Sequence, residues 1–218
     1  MSVDFLDLLD DDQRARVLRG SRRITQPAGV VLQYPTGVLT ADIIESGLVR
    51  AFQVAEDGRQ ATIGYLYSHE YLGPLPAVTP RPFVYVQHIT RATLIRLDAD
   101  NIRHLFETDL GFARALAIHA ASILSIVARV VTVRTLGTIR QRIAFDLLQR
   151  LTDDQLRSGN LEFAVTQQEL ADAIGSAREV VSGHIGDLRR AGILSTGRRR
   201  VRIEDPERLA ATLRGLLT

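Results

Sequence analysis

The chain has 218 residues, enough for one large domain or two small ones, and 45% hydrophobic with 24% charged residues is the make-up of a folded protein, not a disordered one. It has no cysteine, which excludes disulfides, thiol catalysis, zinc–thiolate sites and iron–sulfur clusters. All 27 Lys+Arg residues are arginine, so a Schiff-base lysine and a P-loop lysine are excluded too, and every cationic contact can be planar and bidentate.

Val3 to Arg19 reads as a short helix with Phe5, Leu8, Leu9 and Val17 on one side, and Asp10-Asp11-Asp12-Gln13 offers a second start. These opening residues lack a cationic start followed by an apolar run, so no secretory signal is expected. From Ile24 to Leu97 the period is two. Short runs at Val30–Leu32, Ala41–Ile44, Leu48–Val54, Ala61–Leu66, Phe83–Val86 and Thr93–Leu97 alternate with turn residues such as Pro27-Ala28-Gly29 and Ser46-Gly47, the rhythm of a sandwich or barrel. Val49 to Ile63 is the clearest hairpin, because Asp57-Gly58 suits a tight turn.

Asp98 is placed to cap a helix that continues through Ile102, Leu105 and Phe106. A long helix follows, from about Leu110 to Arg134. Leu116, Ala120, Ile123, Val127 and Val130 step by 4, 3, 4 and 3, the spacing of a coiled-coil seam, while Leu124, Ile126 and Val131 make a second apolar face. A parallel homodimer through this helix is expected, with those five residues at its interface. Arg114, His119 and Arg129 interrupt the apolar stretch, so it is not read as a membrane span, and the cytoplasm is the expected location. Beyond Gly137, Thr138–Leu151 reads as a helix, Thr152–Asn160 as a polar loop and Leu161–Val165 as a short strand.

The charge is uneven. Residues 1–135 carry 14 arginines and 14 acids, residues 136–218 carry 13 and 11. Within Ser176–Arg202, seven arginines face only Glu179 and Asp187, a concentration expected where a nucleic acid binds. The same stretch carries a motif. Thr166 and Glu169 form a capping box, Leu170, Ala171 and Ile174 one face of a short helix, and Gly175-Ser176 a break. A second helix from about Ala177 to Arg190 then buries Val181, Ile185 and Leu188. That is a helix-turn-helix. Leu194 to Ile203 follows as a hairpin wing with Arg198, Arg199 and Arg200 at its tip, placed for phosphates. Arg178 and Glu179 suit a G·C-containing step, with Ser182 beside them; Thr166, Gln167 and Ser176 suit phosphate.

On these residues the sequence resembles the Crp–Fnr superfamily of bacterial transcription regulators. "PAGVVLQYPTG", "IIESGLVRAFQVAEDGRQATIGYL" and "HEYLG" look like its sensor domain, and "VTQQELADAIGSAREVVSGHIGDLRRAGIL" is similar to its winged helix-turn-helix. The resemblance implies an α+β fold: an N-terminal antiparallel β-roll (a cupin-like jelly roll) over 1–97, a helical linker and dimerisation helix over 98–136, and a winged helix-turn-helix over 137–218. It implies a homodimer on a near-palindromic site in double-stranded DNA, contact with RNA polymerase, and no enzymatic activity. It also places Arg178 and Glu179 in the major groove.

Three departures from the family pattern matter. Gly183 stands where the family often has an arginine, and His184 where an apolar residue is usual, which reads as a packing histidine. The cyclic-nucleotide cassette is broken: Gly73 is followed by Pro74, and Pro82-Phe83 replaces the arginine pair, with Arg81 one residue early. A buried phosphate without its donors is unpaired, so no tight cyclic AMP binding and no fixed cofactor are expected. Tyr65, Gly73, Arg81, Phe83 and Tyr85 mark a pocket that holds either core or a non-nucleotide effector. Haem through His69 or His88, or a sensor acting mainly through protein contacts, stays open.

Overall fold

The acidic run after Leu9 starts a helix instead of continuing one. The Asp10 side chain accepts from Gln13 N and the Gln13 side chain accepts from Asp10 N, a reciprocal cap that opens α1 (Asp11–Val17). Ahead of it, among the described residues, lies only a 3-10 turn, Leu6–Leu8, so the expected Val3–Arg19 helix is two pieces. The structure is a computed structural model that describes residues 4–34, 40–73 and 84–216.

Among the described residues eight strands follow: β1 (Arg22–Gln26), β2 (Val31–Tyr34), β3 (Asp42–Ser46), β4 (Val49–Val54), β5 (Gln60–Leu66), β6 (Tyr71–Leu72), β7 (Val84–His88) and β8 (Ala92–Arg96). They form two four-stranded antiparallel sheets, in the orders β1-β8-β3-β6 and β2-β7-β4-β5. β1 and β6 are not among the expected runs; β1 has a single apolar residue, Ile24, and β6 is two residues long, so neither shows apolar alternation in the sequence. Gly47 makes the tight crossing between β3 and β4: its φ is +103°, and a Cβ there would lie 2.7 Å from Ala92 Cβ.

Asp98 caps α2 (Ala99–Thr108), accepting from Asn101 N at 2.8 Å, and α3 (Leu110–Leu136) follows. Contacts divide the chain into two units, Met1–Gln53 with Gly64–Val127, and Val54–Ile63 with Ala128–Thr218. In the first, Phe5, Ile43, Tyr71, Ile102, Phe112 and Leu116 belong to one buried cluster. Two polar features sit inside this unit. Asp42 is fully buried and takes a forked pair of bonds from Arg96 at 2.9 and 3.0 Å. Glu70 is 4% exposed; its Oε2 accepts from Tyr67 N, its Oε1 has no partner among the described residues, and burial pushes the carboxyl up to about 7.

The second unit holds α4 (Ile139–Gln149), α5 (Asp153–Ser158), β9 (Glu162–Ala164), α6 (Gln167–Ile174), α7 (Arg178–Arg190), β10 (Leu194–Gly197), β11 (Arg200–Ile203) and α8 (Pro206–Ala211). Its sheet runs β10-β11-β9. The segment expected as a polar loop holds α5, because Thr152 and Gln155 cap each other and Gly159 at φ +68° ends the turn. Helix α8, unforeseen, starts on Asp205 with Pro206 in its first turn. Ile143, Leu147, Leu170, Val181, Leu188 and Leu209 are fully buried in one core, and Asp146 pairs with Arg150 at 2.7 Å within it.

Candidate nucleic-acid interface

Helix α6 begins as its sequence dictates: Glu169 N donates to Thr166 Oγ1 at 3.1 Å and Thr166 N to Glu169 Oε2 at 2.6 Å. Gly175 at φ +66° closes it, and Ser176 N returns to Ala171 O at 2.9 Å. Helix α7 follows with Val181, Ile185 and Leu188 inward. Ala177 gives it no side-chain cap, so the first-turn N–H groups of α7 are left to other partners. Arg178 and Glu179 are exposed in that turn, Ser182 and His184 are half-buried, and Gly183 is exposed.

The turn between α6 and α7 is held from outside the motif. Ala173 O, an end carbonyl of α6, accepts from Thr62 Oγ1 at 2.9 Å and from Arg134 Nη2. Thr62 lies on the β5 end of the Val54–Ile63 hairpin and is 6% exposed. Sequence reading missed both donors; they are far from the motif along the chain, and neither has a local signature.

The wing is a two-residue hairpin, with Gly197 opposite Arg200 and Arg198-Arg199 at its tip. Arg199 has φ +57°, a region that glycine or asparagine normally fills and that strains other residues by about 1–2 kcal/mol. Among the described residues Arg178, Arg189, Arg198 and Arg199 have no ion pair. Arg200 pairs with Glu162 at 3.2 Å and Arg202 with Glu204 at 3.4 Å, while Arg190 pairs with Asp187. Acids outside the Ser176–Arg202 window therefore neutralise part of it. Thr166, Gln167 and Ser176 are half-buried around the start of α6 and the turn.

Residues 141–212 match the model of the Crp-like helix-turn-helix domain. The transcriptional regulator LdrP of Thermus thermophilus is 33% identical over 166 residues, 74% of this chain and 81% of that protein. The chain belongs to the Crp–Fnr family. It is a transcription regulator with a DNA-binding helix-turn-helix, not an enzyme. Its fold, β-sheets followed by a long helix and the helix-turn-helix unit, is that of the family. The structure of a CRP-family transcriptional regulator from the same species, Thermus thermophilus, matches with a TM-score of 0.66 at 27% identity, over 87% of this chain and 95% of that one. A CRP-like cAMP-activated global transcriptional regulator of Mycobacterium tuberculosis is 25% identical over 177 residues, 79% of each chain.

In this Crp–Fnr protein the residues marked for an interface between protomers are partly spent within the chain. Leu116 is fully buried and Val130 is 7% exposed; Ala120, Ile123 and Val127 are half-buried. One residue further on, Ala117, Ala121, Leu124, Ala128 and Val131 are all exposed, at the same 4, 3, 4, 3 spacing. Leu124 is 68% exposed and Val131 56%. By length and composition α3 is apolar enough to cross a membrane. Its inward side, however, includes His119, 2% exposed, whose Nε2 is 3.0 Å from Tyr71 O.

Of the marked pocket residues, Tyr65 is 4% exposed and Tyr85 stacks on Phe52 with ring centroids 5.5 Å apart. Gly73 packs where a Cβ would be 2.9 Å from Ala41 Cα. Arg81, Phe83, Pro74 and Pro82 lie outside the described residues. Beside Tyr85 is a residue the sequence reading passed over: Arg50, buried, with its guanidinium 4.5 Å over the Phe52 ring and Nη1 donating to Gln87 Oε1 at 3.1 Å. His69 is exposed and its Nδ1 is 2.8 Å from Asp4 Oδ2; His88 is fully buried with Nδ1 3.1 Å from Val30 O.

Proposed function

We propose that the protein is a cytoplasmic homodimer that reads a near-palindromic operator and acts on RNA polymerase there. The carrying observation is the pair Arg178 and Glu179, exposed and without ion pairs among the described residues, in the uncapped first turn of α7. An arginine fork suits guanine O6 and N7, and a carboxylate accepts from cytosine N4. Arg198 and Arg199 reach phosphate from the wing, with Arg200 divided between DNA and Glu162; Thr166, Gln167, Ser176 and Ser182 complete the surface. The working division is a sensor over 1–97, a linker and dimerisation helix over 98–136, and a DNA-binding domain over 137–218.

The dimer seam is Ala117, Ala121, Leu124, Ala128 and Val131, flanked by Ala120, Ile123 and Val127. A row of apolar side chains left in water on a long helix is what a second copy covers. Cyclic AMP is not the effector: proline at 74 and 82 removes backbone donors that a buried phosphate needs. The group of buried Arg50 and Phe52 with half-buried Tyr85 favours gating by a non-nucleotide effector instead. Selection of bound duplexes from a random pool, with and without cell extract, tests the whole reading. The expected product is an inverted repeat with half-site centres about 34 Å apart; no preference over scrambled duplex refutes it. Calorimetry showing micromolar cyclic AMP binding refutes the effector reading alone.

A further inference from the structure

Several glycines are explained by the fold around them. A Cβ at Gly47 would lie 2.7 Å from Ala92 Cβ, and one at Gly137 2.4 Å from Val133 O; Gly175 holds the left-handed backbone that ends α6. Gly183 and Gly186 are different. Both lie inside α7, and neither has a positive φ. A Cβ at Gly183 would meet nothing within 4 Å, and one at Gly186 only Arg190 Nη1 at 3.6 Å, an ordinary contact. Glycine within a helix is destabilising relative to alanine. Helix α7 thus carries two weakening residues that its own unit does not require.

Their place on the helix gives the reason. Val181, Ile185 and Leu188 point inward, and at 3.6 residues per turn Gly183 stands opposite them, with Glu179, Gly186 and Arg190 on the same outward side. Between Glu179 and Arg190 that side has no side chain at 183 or 186, and the exposed Val180 and the Asp187 that pairs with Arg190 stand at its edge. An α-helix with its side chains is about 10–12 Å across, and the major groove about 12 Å wide. Removing side chains from the outward face lets the helix sit deeper. Depth is what Glu179 and Ser182 need, because their side chains are short and reach base edges only when the backbone is close.

We infer that Gly183 and Gly186 form a close-approach strip: they let the backbone of α7 lie against the major-groove edge of the base pairs, so that bulk at either position is excluded by the DNA and not by the protein. The inference rests on α7 being the recognition helix.

The test compares full-length G183A, G186A and G183L with the unaltered protein on the duplex that the random pool selects, with melting temperature measured alongside. G183A is expected to melt roughly 2–4 °C higher, because alanine is the better helix former. It is expected to bind the selected duplex at least tenfold more weakly, with G183L weaker still and G186A changed in the same direction. Binding to unrelated duplex at low salt, carried by phosphates, should change less than twofold. Unchanged or tighter binding of the selected duplex by both alanine variants overturns the inference. So does weaker binding with a lowered melting temperature, since the added Cβ then disturbs the free protein. If the unaltered protein prefers no duplex, the recognition role of α7 falls first, a different result from neutral alanine variants.

Discussion

Helices α3 and α7 both present an outward face that their own chain leaves uncovered, and the two faces are opposite in kind. On α3 it is apolar, with Leu124 and Val131 more than half exposed. On α7 it is charged and bare, with Arg178 and Glu179 ahead of two glycines. Apolar surface is stabilised by any close-packed apolar partner, and a matching helix of a second copy supplies one. An arginine-bearing face whose exposed apolar side chain is Val180, 44% exposed, gains little from packing and much from a polyanion. On the proposed function one chain carries a face for a second copy and a face for DNA, and each should fail separately when altered.

The largest effect should come from Leu124→Glu. Burying a leucine is worth about 1.5–3 kcal/mol, twice over in a symmetric pair. Dissociation should strengthen at least 100-fold, read by sedimentation, with the monomer retaining its melting transition. A dimer that survives this change would place the seam elsewhere on α3.

A change on neither face should separate folding from binding. Glu70 has its carboxyl raised from 4.5 to about 7, first by burial and against the bond from Tyr67 N. Below pH 4.5 it is protonated in folded and unfolded chains alike. Between 4.5 and 7 the unfolded chain ionises first, so native stability is lost as pH rises, to a plateau above 7. Glu70→Gln should therefore add about 3 kcal/mol at pH 8 and nothing at pH 4.5, read by chemical denaturation. Operator preference should not change; if it does, the sensor side bears on α7 directly.

Arg178→Ala should lower specificity by about 1–3 kcal/mol at one base step, measured on operator variants. Equal loss on all sequences would make Arg178 a phosphate ligand. The smallest effect belongs to Arg199→Gly. Relief of the left-handed backbone is partly offset by the freedom of glycine in the unfolded chain, leaving a net gain under about 1 kcal/mol. The slope of log affinity against log salt should fall by about one per protomer. An unchanged slope would remove the wing tip from the DNA.

Legibility in the sequence followed the range of the interactions involved. The α6–α7 motif was readable because its cap, its breaker and its inward residues lie within 25 positions, as was the Asp98 cap. The polar segment after Thr152 reads as a loop by composition, while the Thr152–Gln155 cap is enough to start a helix. The 4, 3, 4, 3 spacing on α3 is legible in the sequence, but it is the same for two adjacent registers, and only folding buries Leu116 and leaves Leu124 exposed.

By itself, then, the sequence determined what was local: the helix-turn-helix, the arginine concentration and the presence of a long apolar helix. Only the tertiary structure decided which side of α3 its own chain leaves uncovered, that Arg200 pairs with Glu162, and that Thr62 and Arg134 hold the turn before α7. The reason is physical: periodicity and capping act over one or two turns, whereas burial and pairing depend on residues that meet only after the chain has folded.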